Sequence, residues 1–158
     1  MDKVPQQKRS ENMRRIRSKD TKPEKIVRSA LHRCGYRFTV VGPSNRSLPG
    51  KPDVVLPRYR IAIFVHGCFW HCHDACREGR IPSSNRGYWA PKLEKNVTRD
   101  RDARAALESL SWKVVVFWGC EVEKAVKEVS LNGLIRRRLE GICEKRSVEQ
   151  IAQRSNIC

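Results

Sequence analysis

The stretch Pro49-Gly-Lys-Pro-Asp53-Val-Val-Leu-Pro57-Arg-Tyr-Arg-Ile61-Ala-Ile-Phe-Val65-His66-Gly-Cys68-Phe69-Trp70-His71-Cys72-His73-Asp-Ala-Cys76 decides how this chain is read, because one segment holds an acid, two apolar runs, three histidines and three cysteines. Asp53 follows Pro52 and opens the run Val54 to Leu56, so it stands at the start of a short strand at the mouth of a sheet. A carboxylate there can hold a hard cation. Ile61 to Val65 is a second short strand, and Pro57 to Arg60 between the two runs reads as the turn of a hairpin. The hairpin therefore predicts that Asp53 and the histidines following Val65 share one edge of the sheet.

On the N-terminal side, Thr21-Lys-Pro23-Glu24 has the form of a capping box with proline in the first turn. Ile26, Val27, Ala30, Leu31 and Cys34 recur at helical spacing, and Gly35 ends the predicted helix. Glu24 reads as the capping partner at N3; a second reading, as a carboxylate near Asp53, is not decided by spacing. Tyr36 to Val41 is predicted as a strand and Gly42 to Gly50 as a loop. Residues 1–20 carry seven Lys or Arg and little apolar content beyond Val4, Met13 and Ile16, the pattern of a flexible basic arm.

On the C-terminal side, a basic loop to Arg86 leads to Tyr88-Trp89 and a helix predicted from about Pro91 to Leu110, with Leu93, Val97, Ala103, Ala106, Leu107 and Leu110 as its apolar stripe. Trp112 to Trp118 is the most strand-like run, and its continuous apolar character predicts a central strand. Cys120 lies just past it. Glu121 to about Glu140 is expected as the last helix, and 143–158 as a charged tail. The element order predicts an α/β fold, a mixed central β-sheet flanked by helices, in a single domain over 21–142.

Lys plus Arg number 33 against 17 Asp plus Glu in 158 residues, a formal charge of +16, which favours a polyanionic partner, nucleic acid above all. The chain has no long apolar segment and no signal-peptide pattern, so a membrane partner is not expected. Seven cysteines, an odd number clustered in the middle, suit metal binding in a reducing cytoplasm better than a disulfide framework.

Cys68, His73, Cys76 and Cys120 can surround one ion, and thiolates with imidazole select zinc in a closed structural site. Cys72 is an alternative ligand, and free buried thiols are the bland one. With those four assigned, Asp53, His66 and His71 remain: a carboxylate for Mg²⁺ beside imidazoles that move protons near neutral pH, which is what phosphodiester hydrolysis requires. Phe69, Trp70 and Trp89 are either wedges that unstack a duplex or aromatics that close the end of the sheet.

The combination Arg9-Ser-Glu-Asn-Met13-Arg14, Asp20-Thr21, Glu24, Leu48-Pro-Gly-Lys-Pro-Asp53, Phe64-Val-His66-Gly-Cys68-Phe-Trp-His71, Lys95-Asn-Val-Thr-Arg-Asp100 and Trp118-Gly-Cys120 resembles the very-short-patch-repair (Vsr) DNA mismatch endonucleases of bacteria, from about residue 8 to 140. The resemblance implies a restriction-endonuclease-like fold with a structural zinc site, and Mg²⁺-dependent nicking of one strand 5′ of the thymine in a T:G mismatch left by deamination of 5-methylcytosine. It implies Asp53 as the metal-binding carboxylate with the Val65 backbone carbonyl, His71 as base or water-positioning residue, His66 as a phosphate or metal-water partner, and Glu24 as a supporting carboxylate. It further implies Cys68, His73, Cys76 and Cys120 as zinc ligands, Phe69, Trp70 and Trp89 as intercalating aromatics, Met13 as a probe from the arm, and Lys92 and Asn96 as base contacts. The expected protein is a monomeric, cytoplasmic, nucleoid-associated bacterial enzyme acting on double-stranded DNA, with mismatch-repair proteins as candidate partners. Val65-His66-Gly67 stands where restriction enzymes often carry Glu-x-Lys, so Val65 has only its carbonyl to offer. Asp74-Ala75 lengthens the metal loop by one residue, which leaves Cys72 and His73 as rival ligands.

Overall fold

The computed structural model describes residues 19–40 and 42–142. The predicted hairpin forms: β1 (Val54–Leu56) and β2 (Ile61–His66) pair antiparallel with Val54 opposite Ile63 and Leu56 opposite Ile61. A short 3₁₀ turn, Pro57–Tyr59, joins them, and Arg60 closes it at φ +49. Prolines at 52 and 57 bracket β1, and with no N–H to give they confine its ladder to three residues.

That bracketing also explains why residues 36–40, the described part of the expected Tyr36 to Val41 strand, form no ladder. Among these described residues only Thr39 makes a bridge, to Val55, by reciprocal backbone bonds of 2.8 and 2.9 Å. The buried Asn45 side chain occupies the neighbouring groups, accepting from the Thr39 hydroxyl at 2.8 Å and donating to the Thr39 and Pro52 carbonyls at 3.2 Å. Asn45 comes from a short helix, α2 (Pro43–Ser47), inside the predicted loop.

The first helix, α1 (Lys22–Arg33), begins where the capping box places it. The Asp20 amide and the Thr21 hydroxyl both donate to the Glu24 carboxylate, at 2.9 and 2.7 Å. Val27, Ala30 and Leu31 form its buried stripe, and Gly35 at φ +83 ends it in the left-handed conformation.

The third helix, α3 (Arg86–Ser109), starts five residues before the predicted boundary and runs through Pro91. The bond that Pro91 lacks is owed to the exposed Gly87 carbonyl in the first turn, where water can serve it. Its apolar stripe is thinner than predicted: Leu93 and Leu107 are fully buried, whereas Val97 and Leu110 are 41% and 50% exposed. The helix spans a cleft rather than lying flat on the sheet, so only part of that face meets the core.

As the crossover, α3 delivers β3 (Lys113–Trp118) parallel to β2, with Ile61 opposite Lys113 and His66 opposite Trp118. The sheet order is β1-β2-β3, so the central strand is β2, and the expectation of a central Trp112–Trp118 is corrected. Two-sided burial gave that run its unbroken apolar look. Val115 and Phe117 face the core; Val114, Val116 and Trp118 are half-buried and line the cleft under α3.

The expected Glu121–Glu140 helix is two helices, α4 (Gly119–Lys127) and α5 (131–142), broken at Val129, whose φ is +51. The break lets Val122 and Ala125 on one helix and Leu131, Leu134, Ile135 and Leu139 on the other enter the same core as α1, β1, β2 and β3. Arg138 of α5 ties back to Glu121 of α4 at 2.5 Å. The result is a small α/β fold with a three-stranded mixed sheet. No described helix is long and apolar enough to cross a membrane.

Candidate functional site

At the C-terminal end of β2, between the sheet and α3, lies an open cleft of about 1870 Å³ lined by Glu24, Asp53, Val65, His66, His71 and Asp100. Lysines 19, 51 and 95 and arginines 99, 101 and 104 line it too, so a polyanion is drawn to the same opening. The sheet edge thus gathers the acid and the histidines as the hairpin predicts.

Asp53 enters beside β2, where the Val65 amide donates to its Oδ2 at 2.8 Å. Burial raises its pKa from 3.8 to about 6; the Val65 bond opposes the rise and the nearby Glu24 charge adds to it. A half-buried carboxylate held in place by one amide, beside a second acid, has the chemistry of a divalent-cation ligand. Both readings of Glu24 meet here. Its oxygens are engaged in the helix cap, and its charge acts on Asp53 through space.

His66 and His71 stack with ring centroids 3.8 Å apart and planes 8° from parallel. Burial, then the neighbouring His71, lowers the His66 pKa to about 4, so this ring is neutral in ordinary buffers. His71 Nδ1 is in close contact with Asp100 Oδ2 of α3. Burial pushes the Asp100 carboxyl up, but the His71 bond and charge outweigh it and hold the group below the usual range. Donor atoms of His66, His71 and Asp100 lie within 4.8 Å of one another. Parallel stacked rings, however, aim their in-plane lone pairs side by side instead of at one point. The trio is therefore better built to hold and pass a proton than to chelate, with Asp100 orienting His71 so that Nε2 is the basic nitrogen.

A second cluster, Cys68, His73, Cys76 and Cys120, brings four donor atoms within 4.8 Å, with His73 Nδ1 3.3 Å from Cys120 Sγ. Cys72 stands outside it, at φ +49 with its side chain half-buried. Burial and the neighbouring Cys68 and Cys76 push the Cys120 thiol up to about 12. Burial opposes but does not prevent a lowered pKa at Cys76, which takes a bond from Cys68 and backbone bonds from Gly79 and Glu78. Three crowded thiols, of which Cys68 and Cys120 are pushed up and Cys76 is drawn down, plus an imidazole, are a donor set that suits a thiophilic dication. The ring of His73 is fixed by stacking on Trp118 at 4.1 Å.

Gly79 lets the 77–79 turn lie directly on this cluster: a Cβ there would sit 2.0 Å from the His73 carbonyl oxygen and 2.5 Å from its nitrogen. Gly79→Ala is expected to push the turn off, remove amide donors from Cys76 and lower stability by about 2 kcal/mol or more, about 4–8 °C in Tm. Thermal melting alongside metal content checks this.

Above the loop, Phe69, Trp70 and Trp89 meet edge to face, with centroids 5.1 to 6.0 Å apart. All three are half-buried, and Asn96 Nδ2 donates to the Trp70 carbonyl at 3.1 Å. The Lys92 ammonium lies 5.6 Å from the Trp70 centroid and 5.7 Å from that of Trp89. Met13, the expected probe, lies outside the described residues. The sequence reading missed Asp100 as a site residue; the signal was its place four residues after Asn96 and eight after Lys92, one helical stripe.

The family model for DNA mismatch endonuclease Vsr matches residues 1–77. The chain is 48% identical over 121 residues to the type II nicking enzyme V.XorIIP of Xanthomonas oryzae pv. oryzae, covering 77% of this chain and 86% of that protein. It is 39% identical over 143 residues to the DNA mismatch endonuclease Vsr of Escherichia coli K12, covering 90% of this chain and 88% of that one. A type II nicking enzyme of Neisseria meningitidis serogroup A, V.NmeAIP, is 43% identical over 82% of this chain and 90% of its own length.

Proposed function

The chain belongs to the Vsr family of DNA mismatch endonucleases, a nuclease and hence a hydrolase, and from that premise we propose that it nicks one DNA strand on the 5′ side of the thymine in a T:G mismatch. The observation that carries this is α3. One helix holds Lys92 and Asn96 beside the aromatic cluster and, eight and four residues later, the Asp100 carboxylate that grips His71. Reading and cutting then sit on one rigid element, about 12 Å apart at 1.5 Å per residue from Lys92 to Asp100.

In this reading Asp53 and the Val65 carbonyl hold Mg²⁺, whose chemistry when bound is to neutralise phosphate charge and acidify water. His71, oriented by Asp100, takes the proton from the attacking water at Nε2. His66, neutral and stacked on His71, orients the phosphate or its water. Glu24 keeps Asp53 poised for a cation. Cys68, His73, Cys76 and Cys120 would hold zinc, which would pin the loop that presents His71, Phe69 and Trp70. Phe69, Trp70 and Trp89 enter the base stack where a mismatch has already weakened it. An acid at the sheet rim beside an antiparallel hairpin, with helices on the sheet, supports a restriction-endonuclease-like core over 21–142.

Asp100→Asn is expected to cut kcat by about 10²–10⁴-fold with mismatch affinity unchanged, since it removes the charge that orients and stabilises a protonated His71. Single-turnover nicking beside equilibrium binding checks it. The function itself is tested on duplexes identical except for T:G or C:G at one position, with Mg²⁺. Nicking of one strand in the T:G duplex alone supports the reading; cleavage of both strands of the paired duplex replaces it with a restriction-type activity.

A further inference from the structure

Tyr88 belongs to none of the groups above, yet it is placed where mismatch reading would occur. It is 52% exposed in the first turn of α3, so the core does not need its ring. The ring stands edge to face on Trp89, with centroids 5.0 Å apart and planes at 79°. Its hydroxyl accepts from Lys92 Nζ at 3.2 Å, one helical turn on, and the same ammonium lies 5.3 Å from its ring centroid. With Trp70 and Trp89, three aromatic rings surround one cation within 5.3 to 5.7 Å. Among the described residues Lys92 makes no salt bridge, so this aromatic seat and one hydroxyl are what hold its head group.

We propose that Tyr88 is a positioning residue for mismatch recognition: by its hydroxyl and ring it holds the Lys92 ammonium beside the aromatic wedge before DNA arrives. The proposal rests on the reading of Lys92 as a base contact. A free lysine side chain is among the most mobile in a protein, and fixing it during binding takes free energy from recognition. A side chain already seated loses little more, so the gain appears in discrimination. Asn96 is held in the same manner by the Trp70 carbonyl. Tyr88, Lys92 and Asn96, at four-residue spacing, would thus approach the mispair as one prearranged row.

The test is a double-mutant cycle of Tyr88→Phe with Lys92→Met, measured as kcat/KM for T:G nicking and as affinity for T:G and fully paired duplexes. Removing only the hydroxyl is expected to lower T:G nicking about tenfold. Paired-duplex affinity and Tm should stay at wild-type values, and the same change should have no effect in the Lys92→Met background. Equal loss in both backgrounds, equal loss on mismatched and paired DNA, an unchanged rate or a faster one each overturns the proposal. If Lys92→Met itself leaves T:G discrimination intact, the base-contact reading falls and the proposal with it. If Lys92→Met impairs discrimination and Tyr88→Phe does not, only the proposal falls.

Discussion

Asp53→Asn is expected to abolish nicking, by about 10³-fold or more, and at the same time to make the protein more stable at neutral pH. The loss follows from removing the charge that holds the proposed cation, a contribution of at least about 4 kcal/mol to the barrier. The gain follows from the carboxyl pKa, raised from 3.8 to about 6 first by burial and further by Glu24, against the Val65 amide bond. The folded protein binds this proton more tightly than the unfolded chain does. Stability from the group is therefore fully present below about pH 4 and lost as pH rises through about 6. A shift of about two units corresponds to about 3 kcal/mol lost at pH 7.5. Asparagine has the same shape, can still accept from Val65 and carries no charge to desolvate. Urea melts should show Asp53→Asn ahead of wild type by up to about 3 kcal/mol at pH 7.5, with the gap closing toward pH 4. Mg²⁺ should raise the wild-type Tm and leave the variant unmoved. A variant that still nicks, or that is less stable at pH 7.5, overturns this account of Asp53.

Cys120→Ser is expected to have the second-largest effect. Cys120 is the member of the thiol cluster that comes from outside the 68–76 loop, in the first turn of α4 just beyond β3. It anchors to the sheet the loop that carries His71, Phe69 and Trp70. Structural zinc sites contribute on the order of 10 kcal/mol of apparent binding free energy, so removing the ligand that comes from beyond β3 should cost several kcal/mol. Metal content should fall below one zinc per chain, Tm should drop, and nicking should be lost together with mismatch binding. Cys72→Ser is the control, since that side chain stands outside the cluster; it should retain one zinc and full activity. A Cys120→Ser protein with one zinc per chain and wild-type nicking would remove the proposed role of the cluster.

The two effects separate the parts of the site. Loss of the Asp53 charge should end chemistry with the DNA surface intact. Loss of the Cys120 thiol should release the surface itself. Asp100→Asn lies between them, altering the proton path with both frameworks in place.

Much of this arrangement is local and was legible in the residues. The capping box at Thr21 and Glu24, the hairpin between Leu56 and Ile61, and the stop at Gly35 each depend on neighbours within a few positions. The donor types in the 68–76 loop likewise name a class of metal before any coordinate is known. Other features depend on distant chain. Asp100 meets His71 across 29 residues with no local period to reveal it, whereas Cys120, 47 residues from His73, was grouped with it by donor type alone. Tyr36 to Val41 has strand composition, but two prolines and Asn45 take away the ladder of its described residues 36–40. Trp112 to Trp118 looks central because both its faces are covered, yet one covering is a cleft. By itself, then, the sequence determined the local elements, the donor chemistry and the basic character. Tertiary structure decided which strand lies in the middle, that His73 and not Cys72 joins Cys68, Cys76 and Cys120, and which carboxylate meets His71, because those choices are made by packing between segments that no short-range pattern couples.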